Sequence, residues 1–514
     1  MLRESLLLNI GPCVQDVDAP ATVAAKGIGR LKISGEDNDD QGAVSGTEST
    51  ITPSVTPKRR LDVVAEYTRH QKTRETLNLV VVGHVDAGKS TLMGHLLYAL
   101  GQVNERTMKK FERDAEKIGK GSFAYAWVLD ETDEERSRGV TMDIATSAFA
   151  TKNRRFTLLD APGHRDFVPN MISGASRADV AILVVDASTG GFESGFDGNG
   201  QTREHAILIR SLGVRQLVVA VNKLDVVGWS EVRYAEISAR LLDFLISCGY
   251  LRDDVRFAPV SGLKGTNLAC RIEADSLPEL ASWYRDASDS SKTGPCLVDL
   301  LDTFTMPERP ISKPFRLAVN DYFRGGSFSS ANSVSVSGRI AQGNVQIGEH
   351  VVVIPGGERG SVKAIDVDFE SQEWAVAGDS VVLMIQGLDI QHVSVGSVVC
   401  AIERPIRSVT RFEAQLVVFD PAVPITNGFP ALLHMQSLNV PVVIHKIIET
   451  FDQRTGEVMK RRPRHIRKGA TARVELVTET AVCLELFKDS KELGRIMLRK
   501  GGETIAAGIA TLLK

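Results

Sequence analysis

The sequence predicts an α/β domain, with a mostly parallel sheet and helices on both faces, followed by two all-β barrel domains. Three observations predict it. Gly83 to Thr91 reads Gly-His-Val-Asp-Ala-Gly-Lys-Ser-Thr, which fits the phosphate-loop (P-loop) pattern G-x-x-x-x-G-K-[ST]. From Leu77 to about Leu301, apolar β-branched runs alternate with stretches of helical spacing. Beyond Met306-Pro307-Glu308-Arg309-Pro310 the pattern turns to short strand-like runs and glycine turns.

A chain of 514 residues is too long for one core and suggests about three domains. With 43% apolar residues, 24% charged and a net charge of −3, it reads as soluble and globular. Contact with nucleic acid must then come from local basic patches, and no DNA partner is expected. The 6 cysteines are scattered with no C-x-x-C pair, against a zinc site or disulfide framework and for a reducing, cytoplasmic compartment. No apolar run reaches membrane-spanning length, so no membrane is expected, and Met1 to Cys13 does not read as a signal peptide.

In chain order, residues 1–60 are rich in Ser, Thr, Gly, Pro and Asp and read as a disordered tail. Residues 61–76 form a basic linker with a helix over Leu61 to His70. The α/β domain is expected over 77–305. Leu77 to Val82 is the strand before the phosphate loop, and Leu92 to Leu100 the helix after it. Strand runs at Phe156–Leu159, Val180–Val185 and Leu217–Val221 continue the sheet. Ligands bind such sheets at the carboxyl ends of the strands.

Several motifs fall at those ends. In the loop, Gly83 and Gly88 let the backbone approach phosphate, and the N–H groups of His84, Val85, Asp86, Ala87 and Thr91 surround it. Lys89 reaches the β- and γ-phosphates, and Ser90 binds Mg²⁺. Asp160 holds the metal through water after its strand, and the Gly163 N–H meets the γ-phosphate. Thr141, after Arg138-Gly139-Val140, adds a second hydroxyl to the metal. Asn222-Lys223-Leu224-Asp225 follows the next strand, and the Asp225 carboxylate can accept from guanine's N1–H and exocyclic amine. Ser261, Gly262 and Leu263 offer a backbone N–H to the guanine oxygen. Singly, most of these motifs are turns more often than sites. In this order after a phosphate loop they point to GTP or GDP with Mg²⁺.

Gly83-His84-Val85-Asp86, Arg138 to Thr141, Asp160 to His164 and Gln201-Thr202-Arg203-Glu204-His205 resemble the translational GTPases, within them the elongation factor one-alpha branch. The resemblance runs from about Asp62 to the C-terminus and implies a GTPase domain followed by two β-barrels. The barrels also follow from spacing. One series, over 311–403, includes Val351–Ile354, Val381–Ile385 and Val398–Ala401. The other, over 408–514, includes Gln415–Phe419, Val440–Ile448, Ala472–Val477 and Ala481–Phe487.

Glu131 to Arg136, Pro169 within Phe167 to Met171, and Leu493 to Gly508 are most similar to the HBS-like, ribosome-rescue members of the family. That resemblance implies a monomer that carries a pelota-like protein to the ribosome, contacting its RNA and proteins. Delivery of aminoacyl-tRNA and a release-factor GTPase are the alternatives. It also implies that His164 orients the attacking water, with Val85 and Val140 as an apolar gate. A scaffold that has lost hydrolysis is the rival of another class, and the intact Lys89, Ser90, Thr141, Asp160 and His164 weigh against it. Ser327 to Asn332 departs from the family pattern in its serine content, and the N-terminal extension is short.

Outside these motifs, Arg136 and Arg138 could stabilise charge in cis, but read rather as a solvated face. Trp127, Trp229, Trp283 and Trp374 read as packing residues. His84, His95, His205, His434 and His445 lack ligand spacing and get a structural reading. Lys460 to Lys468 is strongly basic, and two readings stay open there: phosphate contacts to ribosomal RNA, or a solvated hairpin.

Overall fold

Thr76–Gly83 forms β1, and its side chains feed two cores in turn. Leu77, Leu79 and Val81 enter one hydrophobic cluster, Val80 and Val82 the other. Successive side chains of a strand point to opposite faces, so a sheet covered on both sides needs apolar residues on both, here Leu79 to Val82 without a break. The structure is a computed structural model. It describes residues 61–70, 76–130, 132–138, 141–197, 200–286, 289, 291–324, 333–368, 370–419, 421–452 and 457–514. The tail expected over 1–60, the basic residues 71–74, Glu131, Gly139, Val140 and Ser327 to Asn332 lie outside the described residues. Residues 62–514 make one compact unit.

The other strands of this sheet are β2 (Ala145–Ala150), β3 (Arg155–Asp160), β4 (Val180–Asp186), β5 (Gln216–Asn222) and β6 (Val255–Pro259). Their order is β2-β3-β1-β4-β5-β6, parallel throughout except for the β2–β3 hairpin. A short helix α1 (Val63–His70) precedes the sheet. The helices that follow are α2 (Lys89–Ala99), α3 (Glu105–Lys117), α4 (Asp133–Arg138), α5 (Val168–Ser176), α6 (Gly191–Phe196), α7 (Gln201–Leu212) and α8 (Glu231–Ser247). Leu92, Met93, Leu96 and Leu97 of α2 cover one face of the sheet, together with Leu297, Leu300 and Leu301. Met171 and Ile172 of α5, Leu208 and Ile209 of α7, and Ile237, Leu241 and Leu245 of α8 cover the other. The i, i+4, i+8 spacing in α8 sets its three apolar residues on one stripe. Its first turn is capped by the Ser230 hydroxyl, which accepts from the Arg233 N–H at 3.3 Å, a bond of the kind that stabilises by about 1 kcal/mol.

Two antiparallel β domains follow. In the first barrel, His350–Ile354, Val398–Ala401, Arg316–Phe323, Ser333–Gln342, Ser380–Gln386 and Glu358–Val367 pair in that order. The last pairs back with the first, which closes the ring. In the second barrel the ring runs through Phe429–Met435, Arg495–Lys500, Glu503–Leu513, Ser408–Val418, Thr471–Cys483 and Leu438–Phe451. Closure leaves these strands without free edges. One expectation is corrected here. Ala472–Val477 and Ala481–Phe487 are not two strands: Thr471–Cys483 is continuous, and Leu484 to Phe487 lie outside it. Its pairing with Ser408–Val418 shifts register between Val409 and Arg411, and such a bulge lets one strand bend round a barrel corner.

The three bodies pack on one another. Met497 and Ala507 of the second barrel join the core beneath α5 and α7, and Arg499 donates to Glu204 of α7 at 3.2 Å. The Asn78 amide of β1 donates to Gly378 O of the first barrel at 2.9 Å. Arg309 donates to Thr76 O at 2.6 Å, and Arg339 of the first barrel pairs with Asp179.

Candidate functional site

The chain passes from β1 into α2 through residues 84–88, and the backbone there is held in conformations that only certain residues accept. Gly88 sits at φ 85°, and a Cβ on it would lie 2.7 Å from the Asn222 amide nitrogen. Glycine reaches this left-handed region without steric cost. At the end of β3, a Cβ on Gly163 would lie 2.2 Å from Lys89 Nζ, so the two segments approach as closely as glycine permits.

These loops enclose a cavity of about 380 Å³ at the carboxyl ends of the strands. Of the expected site residues, Val85, Asp86, Gly88, Lys89, Ser90, Thr91, Thr141, Gly163, His164, Asn222, Lys223, Asp225, Ser261 and Leu263 line it. Gly83, His84, Ala87, Asp160 and Gly262 stand behind that lining. Val140, expected to form half of the gate, falls outside the described residues.

At the phosphate end, Lys89 is buried and donates to Gly83 O at 3.1 Å and His84 O at 3.0 Å. Burial lowers its ammonium to about 8 against the pull of Asp160 and Asp86. The Ser90 hydroxyl lies 3.0 Å from that of Thr141 and donates to Asp160 at 2.7 Å. Burial pushes the Asp160 carboxyl up to about 6, opposed by the Ser90 bond and by Lys89. The second Asp160 oxygen, Oδ1, is buried with no hydrogen-bond partner. Two hydroxyls and an under-partnered carboxylate make an all-oxygen set, which suits Mg²⁺ with its remaining positions filled by water and phosphate. The residues therefore fit the ion.

At the base end, the Asn222 amide donates to Ala87 O at 2.8 Å and accepts from the N–H groups of Gly262 at 2.8 Å and Lys223 at 2.9 Å. It ties three loops together and has little left for a ligand. Lys223 donates to Asp86 O at 2.6 Å and pairs with Asp186 at 2.7 Å. The Asp225 carboxylate is nearly buried and pairs with Lys264 at 3.3 Å. His164 is half exposed, and its Nδ1 accepts from the Asp166 N–H at 3.3 Å.

Four residues of the site had no assigned role in the sequence reading. Asp130 accepts from the Thr141 hydroxyl at 3.2 Å, and burial beside Asp160 pushes its carboxyl up to about 7. Gln201, in the amide orientation that satisfies both its ends, donates to Gly163 O at 2.8 Å and His84 Nδ1 at 2.9 Å and accepts from the Arg165 N–H at 2.9 Å. Asp186 and Lys264 hold Lys223 and Asp225 as described. Asp186 ends β4 at the mouth of the sheet, a strand-end position that was readable. Gln201 sits in a motif that carried only the family resemblance, and Asp130 directly precedes another. Arg136 is also corrected. Rather than lying on a solvated face, it donates to Asp130 O at 2.9 Å, with its guanidinium over the rings of Phe111 and Trp127. Arg138 is exposed, paired with Glu134 at 2.7 Å.

The family model of the Elongation factor Tu GTP binding domain matches residues 74–307, and that of the GTP-eEF1A C-terminal domain matches 411–511. Elongation factor 1-alpha of Thermofilum pendens is 40% identical over 85% of this chain and 97% of its own length. The chain belongs to the elongation factor 1-alpha family of translational GTPases. Within that family it is similar to Protein HBS1 of Drosophila melanogaster, 48% identical over 438 residues, 85% of this chain. The match spans 63% of HBS1's own length. Among solved structures, the GTP-bound GTPase-like domain of S. cerevisiae Ski7 aligns with a TM-score of 0.72 at 20% identity, over 88% of this chain and all of that one, a likeness of fold.

Proposed function

We propose that this translational GTPase carries a pelota-like protein to stalled ribosomes in the cytoplasm and hydrolyses GTP there, serving ribosome rescue and the decay of the stalled mRNA. The observation that carries the cargo reading is the 48% identity with HBS1, against 40% with the Thermofilum pendens elongation factor.

Phosphoryl transfer depends on positioning and charge stabilisation. The amides of residues 83–91 and Lys89 hold the phosphates. Ser90, Thr141 and Asp160 would hold Mg²⁺, which when bound would neutralise phosphate charge. Asp130 orients Thr141. Asp225 reads guanine, with the backbone of Ser261 to Leu263 closing over the base. His164 orients the attacking water behind a gate of Val85 and Val140. Its Nδ1 lies 3.3 Å from the Asp166 N and 3.4 Å from the Asp166 carboxylate, so Asp166 orients the ring and leaves Nε2 for the water.

Titration of the protein, loaded with a non-hydrolysable GTP analogue, tests the cargo. Tight binding of a pelota-like protein and weak binding of aminoacyl-tRNA are expected; the reverse would move the chain to the elongation branch. For the chemistry, His164→Ala should keep nucleotide affinity and lose about 10²-fold or more of ribosome-stimulated hydrolysis in single turnover. Near-normal turnover would refute the water-orienting role.

A further inference from the structure

We propose that Gln201 is a positioning residue for hydrolysis, which fixes the backbone of His164 against the phosphate loop. Its side-chain amide grips the chain on both sides of His164. It donates to Gly163 O at 2.8 Å and accepts from the Arg165 N–H at 2.9 Å. Those two groups belong to the peptide units that flank the His164 Cα. A peptide unit is planar, so holding both leaves φ and ψ of His164 little freedom, and they rest at −79° and 144°. Only the side-chain torsions of His164 then remain to be set. A third bond, from Gln201 to His84 Nδ1 at 2.9 Å, ties this frame to the phosphate loop. The reverse orientation of the amide would set its oxygen against Gly163 O, in exchange for one long bond from the Val85 N–H at 3.3 Å.

Gln201 is itself placed by close packing. It opens α7 directly after Gly200, where a Cβ would lie 2.1 Å from Gly195 O of α6. A Cβ on Gly195 would in turn meet Thr202 Oγ1 at 3.0 Å and the His84 Cβ at 3.1 Å. The start of α7, α6 and the phosphate loop are thus pressed together with no room for a side chain at either glycine. On the other side of the turn, Arg165 pairs with Glu503 of the second barrel at 2.8 Å. Both of those side chains are exposed, and such a pair contributes little. The amide of Gln201, partly buried and bound at three points, is the stronger hold. Placement matters because a shift of about 1 Å in a positioned group can cost about 10²-fold in rate. The assignment rests on the water-orienting reading of His164 given above.

The test is a double-mutant cycle in single-turnover GTP hydrolysis with ribosomes, comparing wild type, Gln201→Met, His164→Ala and the double variant of the full chain. Methionine nearly keeps the length and volume of glutamine and removes all three bonds. Gln201→Met should lose about 10- to 100-fold in turnover, while its affinity for a GTP analogue stays at the wild-type value. In the His164→Ala background the same change should cost no more than about twofold, because the group being positioned is gone. Melting curves report whether each variant is folded, and Gln201→Ala repeats the cycle if methionine disturbs the fold. Additive losses would overturn the proposal, since Gln201 would then act apart from His164. So would a fall in nucleotide affinity that matches the fall in turnover. Wild-type turnover in Gln201→Met beside a slow His164→Ala would overturn this assignment alone. Normal turnover in His164→Ala would remove the water-orienting reading and this assignment together. If ribosomes leave wild-type turnover unchanged, the rescue reading fails, and the same cycle is read in intrinsic hydrolysis with the same expectations.

Discussion

Asp225 offers the simplest case of a single side chain set to choose a ligand. Its carboxylate lines the cavity, nearly buried, with the exposed Lys264 ammonium 3.3 Å away. A surface partner of that kind contributes little and is easily displaced. Guanine would replace it with two charge-assisted hydrogen bonds, each of the class that contributes about 1.5–3 kcal/mol. Asp225→Asn should therefore weaken GTP binding about tenfold or more. The variant should favour xanthosine triphosphate, whose base presents a carbonyl where guanine presents its amine. Competition between the two nucleotides measures this, and an unchanged preference for GTP would remove Asp225 from the site. The motif made Asp225 readable in advance. Asp130 was not, because its role depends on a contact with Thr141 across the mouth of the sheet.

The strand Phe429–Met435 buries a titratable group, and its pH response follows. Its outward positions Pro430 and Leu432 are exposed while Leu433, His434 and Met435 are buried. Burial, with the Arg499 guanidinium nearby, lowers the His434 imidazole from its ordinary 6.5 to about 4. His205 on α7 is held lower still, to about 3, by burial and by Lys89. A folded pKa below the unfolded one means that the neutral form is favoured by folding. That contribution is complete above pH 6.5 and is lost as pH falls through about 4. Melting temperatures across this window should fall more steeply for wild type than for His434→Leu, and parallel curves would show that His434 does not titrate with unfolding. The sequence pattern gave these histidines a structural reading, and folding supplies the buried surroundings that keep them neutral.

Across the whole molecule, one arginine joins all three bodies. Arg339 of the first barrel pairs with Asp179, which precedes β4, and its other nitrogen lies 3.9 Å from Glu492 of the second barrel. Asp179 also accepts from the Asn78 N–H at 3.0 Å. Arg339 and Asp179 are almost wholly buried and Glu492 partly so. Removing one member of a buried network leaves the others charged without a partner, at a cost of about 3–5 kcal/mol. Arg339→Met should lower Tm and loosen the three bodies, which small-angle scattering would register as a larger radius of gyration. A variant with wild-type Tm and dimensions would show that apolar contacts alone hold the domains.

The order of motifs, the alternation of the sheet strands and the change to short glycine-bounded runs are local properties of the chain. They arise from side-chain periodicity and backbone permissiveness, so the α/β domain, the two barrels and most residues lining the cavity were legible before any coordinates. The continuous strand Thr471–Cys483 was read as two because a bulge is set by its partner's register, which no single segment encodes. Arg136 was read as solvated because its charge is visible in the sequence, whereas the rings of Phe111 and Trp127 beneath it are brought there by folding. Gln201, Asp130 and Arg339 belong to the same class. Each acts through partners on other segments of the chain, and only close packing of separate elements decides which polar groups meet.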